Sequence, residues 1–435
     1  MSFVVEPCAV KSGSVVVPGD KSISHRALML GAVAEGRTTI SGFLAGEDCL
    51  ATLAALEQLG IATERPATTK VIVHGAGLHG LAAPARPLDM GNSGTAMRLF
   101  TGLLAGQRFS TELTGDRSLC ARPMERVIRP LEMLGASIKS QAGKPPLRIE
   151  GGRSLGGLVY RLPVASAQVK SAILLAGLYA RGEIAVIEPV ITRDHTERML
   201  RTMGVRLNQG ETQIVMQGGQ LPRGTDIQVP ADLSSAAFII LAATIAENAT
   251  VKIPGVGVNP TRTGVIDILK DMGAAITIDN VRLFGEEPVA DITVRSADLH
   301  GIDVDPAMVS LAIDEFPVLF IAAACARGKT TFSGIGELRV KESDRIGAMT
   351  DGLRALSVPV EDLADGAVVH GGKIYGGKVE SRGDHRIAMS FAIAGTVAEW
   401  AVAIDDTATV DTSFPGFTDC LRSLGVTIAA QGQPD

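Results

Sequence analysis

The stretch ELRVKESDR, Glu337 to Arg345, sets six ionisable side chains into nine residues. Lys341 next to Glu342 puts a cation beside a carboxyl able to move a proton. Asp314, in AIDEFP at the head of an apolar run, offers a second carboxylate in different surroundings. Two carboxylates so separated can divide acid and base roles. Three more loops are similarly charged: GDRSLCARPMER with Asp116, Arg117, Arg122, Glu125 and Arg126; TRDHTER from Thr192 to Arg198; and SRGDHR with Arg382, Asp384, His385 and Arg386. Arginines grip phosphate and carboxylate through paired hydrogen bonds. One such cluster is ordinarily a solvated face. Their recurrence points to group transfer between anionic substrates by proton relay, without a metal.

A fifth stretch, PGDKSISHRALMLGAVAEG, starts at Pro18 with a Gly-Asp-Lys-Ser step ahead of a small apolar run. A nucleotide P-loop needs Gly, four residues, then Gly-Lys-Ser/Thr. Here Asp20 separates Gly19 from Lys21, and five residues lie between Gly13 and Gly19, so the template fails twice. The physical idea survives: a lysine and a serine at a helix N-terminus offer charge, a hydroxyl and free N–H groups to an anion. The plainer alternative is Ser22 capping the helix with Lys21 exposed.

The elements that must position these residues repeat six times. Each copy has a β-branched run, a polar loop and an amphipathic helix, as in Val265, Ile268, Leu269 and Met272, followed by further strand-like sequence. A glycine closes the amphipathic helix at Gly60, Gly135, Gly204, Gly273 and Gly425, with Ser357 in the fifth copy. Before each copy sits a second helix, apolar nearly all round and therefore expected to be buried. These buried helices nonetheless start with polar residues, among them Lys21, Ser22, Asn92, Ser93, Thr95, Ser166, Gln168, Asp232, Ser234, Asp314, Asp384 and His385. Capping accounts for Asp232 and Ser234. It does not account for Lys21, His25, Arg26, Arg98, His385 and Arg386, because a helix N-terminus repels cations. An external anion would relieve that conflict.

Bulk properties bound the rest. A chain of 435 residues is too long for one ordinary core, so two domains are expected. It is 46% apolar and 20% charged, which is globular. Four per cent aromatic content, a net charge of −6 and a pI near 5.7 argue against a nucleic-acid partner. Cys8, Cys49, Cys120, Cys325 and Cys420 form no CxxC pair, consistent with a reduced cytoplasmic chain without disulfides or structural zinc. The histidines lack metal-site spacing, the N-terminus lacks a signal-peptide pattern, and no apolar run reaches membrane-span length.

Nine segments in order, PGDKSISHRA, GNSGTAMR, ARPMERV, SAQVKSA, TRDHTERM, IDEFPVL, ELRVKESDR, GDHRIAMS and TSFPGF, together resemble the 5-enolpyruvylshikimate-3-phosphate synthases of the enolpyruvyl transferase family, over nearly the whole chain. The resemblance implies an α/β fold of two inside-out α/β barrels. Each domain would hold three copies of a βαβαββ unit with buried parallel helices whose starts face a cleft. The boundaries expected are 21–229 for one domain and 1–20 with 230–435 for the other.

It also implies transfer of the enolpyruvyl group of phosphoenolpyruvate to the 5-hydroxyl of shikimate 3-phosphate through a tetrahedral adduct, with release of phosphate, no cofactor and no metal. The expected partners are these two small molecules alone, with no nucleic acid or membrane, and a monomeric chain. By position, Lys21, Ser22, Arg26, Ser166, Ala167, Gln168, Arg193, Asp314 and Lys341 match the shikimate 3-phosphate contacts. Lys21, Gly94, Arg122, Gln168, Arg345 and Arg386 match those of phosphoenolpyruvate. Lys21, Asp314 and Glu342 match the catalytic set, with Asp314 taking the hydroxyl proton and Glu342 protonating C3. Glyphosate, which occupies the phosphoenolpyruvate site in this family, is expected to inhibit.

Two positions depart from many relatives: Thr412 stands where a lysine precedes Ser413-Phe414-Pro415, and Glu337 stands where asparagine is common. Two alternatives are weighed. A UDP-N-acetylglucosamine enolpyruvyl transferase usually has a loop cysteine where Arg117 lies. A non-catalytic anion-binding repeat protein would leave Asp314 and Glu342 without a task.

Overall fold

The computed structural model describes residues 1–432. The chain divides into two compact units: unit 1 comprises Met1–Pro18, Pro230–Arg282 and Pro288–Asp435, and unit 2 comprises Gly19–Val229 and Leu283–Glu287. The sequence expectation did not separate out the short segment 283–287, the tip between strands Ala275–Phe284 and Glu287–Arg295.

Among the described residues, six sheets follow one plan. In unit 2, strand Leu88–Asp89 runs parallel to Thr111–Thr114, which pairs antiparallel with Lys144–Glu150, which pairs antiparallel with Ser137–Gln141. The strands around Glu183–Ile187 follow the same pattern. In unit 1, one sheet has three strands, and isolated bridges at His300–Arg327 and Asp303–Thr331 stand where its parallel fourth strand would be. The repeat is therefore βαβαββ-like, with mixed sheets.

Sequence order does not reveal two of the partners. Gly13–Ser14 precedes the first buried helix but pairs in unit 1 with Thr250–Gly257. Asp226–Gln228 precedes the fourth buried helix but pairs in unit 2 with Glu35–Ser41. Each passage of the chain between units exchanges a leading strand.

The buried helices are α1 (Lys21–Val33), α2 (Gly94–Ala105) and α3 (Ala167–Gly177) in unit 2. Next in chain order come α4 (His195–Thr202), an amphipathic helix of unit 2, and α5 (Leu233–Ile245), the first buried helix of unit 1. Unit 1 adds buried α6 (Phe316–Cys325), then α7 (Arg345–Ala355), which fills the amphipathic place in its repeat, and buried α8 (His385–Gly395). Helix α2 packs on both α1 and α3, and α5, α6 and α8 pack on one another. Their apolar circumference explains this: twelve of the thirteen residues of α5 are buried, and no polar face remains to be solvated.

Five of the six buried helices are capped by a side chain. Asp20 accepts from the Ile23 amide at 2.8 Å, Ser93 from Ala96 at 3.1 Å, Ser166 from Val169 at 3.3 Å, Asp232 from Ser234 at 2.8 Å and Asp384 from Arg386 at 2.9 Å. Each cap contributes about 1 kcal/mol. One alternative and one expectation need correction. Asp20, not Ser22, caps α1, because Lys21 is already its first helical residue. Asp314 does not head α6, whose first residue is Phe316.

The closing glycines lie at left-handed φ, from 84° at Gly60 to 114° at Gly135, and Ser357 adopts φ 62° in the same role. Small residues also set helix spacing. A Cβ on Gly102 of α2 would lie 2.1 Å from the Ala172 carbonyl oxygen of α3. Backbone cannot yield to it, so Gly102→Ala is expected to cost about 3 kcal/mol or more in urea unfolding, the upper end of overpacking. Wild-type stability in that variant would contradict this helix contact.

Candidate functional site

In unit 2 the starts of α1, α2 and α3 meet through their own side chains. Arg26 of α1 donates to Ser171 of α3 at 2.8 Å, to Thr196 of α4 at 2.7 Å and to the Ser22 carbonyl at 2.9 Å. Gln168 of α3 donates to Thr95 at 2.9 Å and accepts from Arg98 at 2.9 Å. Lys21 is paired with Asp48, and Arg122 donates to Asn92 at 2.6 Å and Ser118 at 3.2 Å. Asn92 in turn donates to Asp116 at 2.6 Å. Gly94 opens α2 between two guanidinium groups: a Cβ there would meet Arg98 Nη1 at 2.8 Å and Arg122 Nη1 at 3.2 Å. Ser166 and Ala167 form the α3 start, and Arg193 follows Thr192 in the loop before α4.

The electrostatics follow from burial. Arg26 is 3% exposed, and its three hydrogen-bond acceptors are all uncharged. Burial, together with the nearby positive charge of Arg193, outweighs Glu197 and Asp20 and lowers its pKa to about 10. It therefore stays cationic at neutral pH, close enough to Arg193 to be repelled by it. A buried cation with a second cation near it favours an anion beside them.

His25 is fully buried, with Nδ1 2.8 Å from Thr52 Oγ1. Burial first, then Lys21 and Arg26, hold it well below the ordinary histidine value of 6.5. A neutral folded imidazole and a protonatable unfolded one make the unfolded state bind more protons below pH 6.5, so stability falls as pH falls through that value. His25→Asn is expected to flatten the dependence of urea stability between pH 6.5 and 5 by up to ~1.4 kcal/mol per pH unit. Parallel curves would show that His25 does not carry it.

In unit 1 one guanidinium organises the corresponding end. Arg345, 1% exposed, places Nε 2.8 Å from Asp384, Nη2 2.6 Å from Glu342 and Nη1 3.4 Å from Asp314. Burial alone would lower its pKa; the three carboxylates, Asp384 foremost, raise it instead. Lys341 Nζ lies 3.8 Å from Asp314. Arg386 donates to the Asp314 carbonyl at 2.8 Å and to Ser234 at 3.4 Å. Beneath them Arg262, buried, donates to Ser234 at 2.6 Å, and Ser234 donates to Glu315. Ser234 is thus a link in a polar network as well as a residue of the first turn.

The five sequence-derived residues of unit 1 therefore lie around α6, α7 and α8, and the nine of unit 2 around α1, α2 and α3. Arg339 belongs elsewhere. It is tied to Asp344 at 2.8 Å, to Asp362 and to the Leu363 and Ala364 carbonyls, which makes it a staple of its loop. Arg117 is exposed. The Thr412 hydroxyl donates to the Thr409 carbonyl at 2.6 Å, so it turns inward within its own short turn. Sequence reasoning missed Asp48, Thr196, Ser171, Arg262 and Glu315. Arg262 in NPTRTG was the readable one, a cation just before an apolar helix. Among the described residues, no group of three or more His, Cys, Asp or Glu could hold a metal ion, and no helix is long and apolar enough to cross a membrane.

A family model described as EPSP synthase (3-phosphoshikimate 1-carboxyvinyltransferase) matches residues 5–421. A 3-phosphoshikimate 1-carboxyvinyltransferase of Legionella pneumophila is 55% identical over 424 residues, 98% of each chain. One of Alkalilimnicola ehrlichii is 56% identical over 430 residues, 98% of this chain and 96% of that one. Two solved structures of EPSP synthase from Acinetobacter baumannii, at 51% and 50% identity, superpose with TM-scores of 0.88 and 0.89, each covering 99% of this chain and 100% of the other.

Proposed function

The chain belongs to the EPSP synthase family and transfers the enolpyruvyl group of phosphoenolpyruvate to shikimate 3-phosphate in the shikimate pathway; from that premise we infer which of its residues carry the reaction. Arg26, Ser166, Ala167, Gln168 and Arg193 hold shikimate 3-phosphate, its phosphate meeting the α3 start and Arg193. Ser22 and Lys341 contact the ring. Arg122, Arg345 and Arg386 take the carboxylate and phosphate of phosphoenolpyruvate, with Gly94 leaving room beside it and Gln168 reaching both ligands. Lys21 serves both ligands and stabilises the leaving phosphate. Arg26, whose direct acceptors are uncharged, and the positive charge of Arg193 near it support this assignment, since both attract a bound dianion.

Asp314 takes the proton of the 5-hydroxyl as its oxygen bonds to C2 of phosphoenolpyruvate. Glu342 gives a proton to C3, and the resulting methyl adduct has balanced charge. In the second half, C3 returns a proton to Glu342, and the C2–O bond to phosphate breaks with its electron pair leaving on the phosphate oxygen. The departing phosphate takes up the proton held by Asp314, and the enol ether forms with inorganic phosphate released. The observation that carries this is the shared guanidinium: Arg345 touches both Asp314 and Glu342. A carboxylate resting on Arg345 is held in its charged form. Substrate oxygens that draw on Arg345 Nη2 compete with Glu342 for it and bring a negative charge beside the Glu342 carboxyl, which favours its protonated form. Substrate arrival thus arms the acid, whereas Asp314 keeps Lys341 nearby and remains the base.

The three repeats of each unit are inferred to close into inside-out α/β barrels; the mutual packing of α5, α6 and α8, and of α2 on α1 and α3, supports that reading. Phosphate release from purified protein tests the function. It should require both substrates, and release with either omitted, or none with both, would contradict it.

A further inference from the structure

Lys170 sits one turn into α3, in an otherwise apolar helix body, with no exposed surface. Its ammonium meets Glu188 Oε2 at 2.8 Å, Glu197 Oε1 at 2.8 Å and the Thr192 carbonyl at 3.3 Å. Glu188 and the Thr192 carbonyl accept hydrogen bonds from it, and Glu197, whose oxygens receive no directed hydrogen bond, adds a close opposite charge, so three oxygens surround the buried ammonium. Those oxygens are spread along a single segment. Glu188 follows the strand Glu183–Ile187, Thr192 lies in the loop, and Glu197 is in α4. Thr192 also donates its hydroxyl to Glu188, closing the loop on itself.

The same segment carries Arg193, directly after Thr192, and Thr196, the acceptor of Arg26. Helix α3 carries Ser166, Ala167 and Gln168 at its start and Ser171 beside Lys170, where Ser171 meets Thr196 at 2.7 Å. The two walls assigned to the shikimate 3-phosphate phosphate, the α3 start and the Arg193 loop, are therefore joined from below by one side chain that faces no solvent. We propose that Lys170 is a positioning residue, a buried rivet that fixes Arg193 and Thr196 against the start of α3 and so sets affinity for the phosphate of shikimate 3-phosphate. This rests on the assignment of Arg193 and the α3 start to that phosphate.

The energetics favour geometry over net stability as its role. A buried ion triad gains little over apolar packing, yet removing one member leaves uncompensated charge. The triad carries two carboxylates to one ammonium, and Glu197 is one of the charges that offset the desolvation of Arg26. Lys170 itself is held charged, because Glu197 and Glu188 outweigh the burial that opposes it.

The test is calorimetric titration of shikimate 3-phosphate and of shikimate, which lacks the phosphate, into wild type, Lys170→Met combined with Glu188→Gln, and Glu188→Gln alone. The double variant removes the ammonium with one of its two charges. Glu188→Gln leaves Lys170 paired with Glu197 and is the milder lesion. The expected result is a fall of tenfold or more in the affinity ratio of shikimate 3-phosphate to shikimate for the double variant and about threefold for Glu188→Gln, with KM for phosphoenolpyruvate moving less than threefold. Adding Arg193→Ala should remove most of the further effect of the Lys170 change.

A folded double variant that keeps the wild-type ratio, or loses affinity for both ligands equally, overturns the proposal. Should the double variant fail to fold, an unchanged ratio in Glu188→Gln overturns it instead. Wild type that does not prefer shikimate 3-phosphate over shikimate would sink the site assignment itself, which is a separate outcome.

Discussion

Glu342→Gln is expected to lower kcat by a factor of 10² to 10⁴, the usual contribution of a positioned general acid, while the Kd for shikimate 3-phosphate stays within about threefold. The amide that replaces the carboxyl keeps its shape and one oxygen for Arg345 Nη2, now 2.6 Å from Glu342, so the local packing survives and only the transferable proton is lost. Calorimetric titration with phosphate-release kinetics separates the two quantities. Undiminished turnover would remove Glu342 from the chemistry. Equal losses in binding and turnover would make it a scaffold residue.

Arg345→Met is expected to cost about 3–5 kcal/mol of folding stability, because it strands buried charge. Asp384 is fully buried, and Asp314 and Glu342 are only partly exposed, so solvent replaces the guanidinium poorly. The pH signature distinguishes this from a packing defect. Stranded carboxylates favour protonation in the folded state, a contribution present at low pH and lost as pH rises. The stability deficit in urea should therefore narrow from pH 7 toward about 4.5, near the ordinary carboxylate range. A deficit that stays constant with pH would mean that lost packing, not lost charge, is responsible.

The repeats were legible because their grammar is local: a β-branched run, an amphipathic helix and a glycine at left-handed φ can each be read from a few neighbours. Ser357 shows the limit, since it takes φ 62° where its five counterparts are glycines. The polar starts of apolar helices were legible for the same reason. Partners distant in sequence were not. Asp48 beside Lys21, Thr196 beside Arg26 and Glu315 beside Arg262 are set by tertiary packing that no spacing rule expresses. The exchanged leading strands Gly13–Ser14 and Asp226–Gln228 are two and three residues long, too short for any periodicity.

Part of the cation surplus at helix starts, read as a demand for an external anion, is met inside the protein. His25 is neutral, and Lys21 has Asp48. The demand remains at Arg26, whose direct acceptors carry no charge. Lys170 gave a usable signal: a lysine inside VKSAILLAG must find a buried acid, and TRDHTER supplied one in Glu197.

Addition of the 5-hydroxyl to C2 with protonation of C3 by Glu342 creates a transient methyl group, and this is the step on which the account turns. The direct measurement is turnover in D₂O with mass analysis of the product methylene. Wild type should place solvent deuterium in that methylene, and Glu342→Gln should lose the exchange in step with turnover. Product formed by wild type with an undeuterated methylene would mean that C3 is never protonated, and the roles given to Glu342 and Arg345 would be wrong.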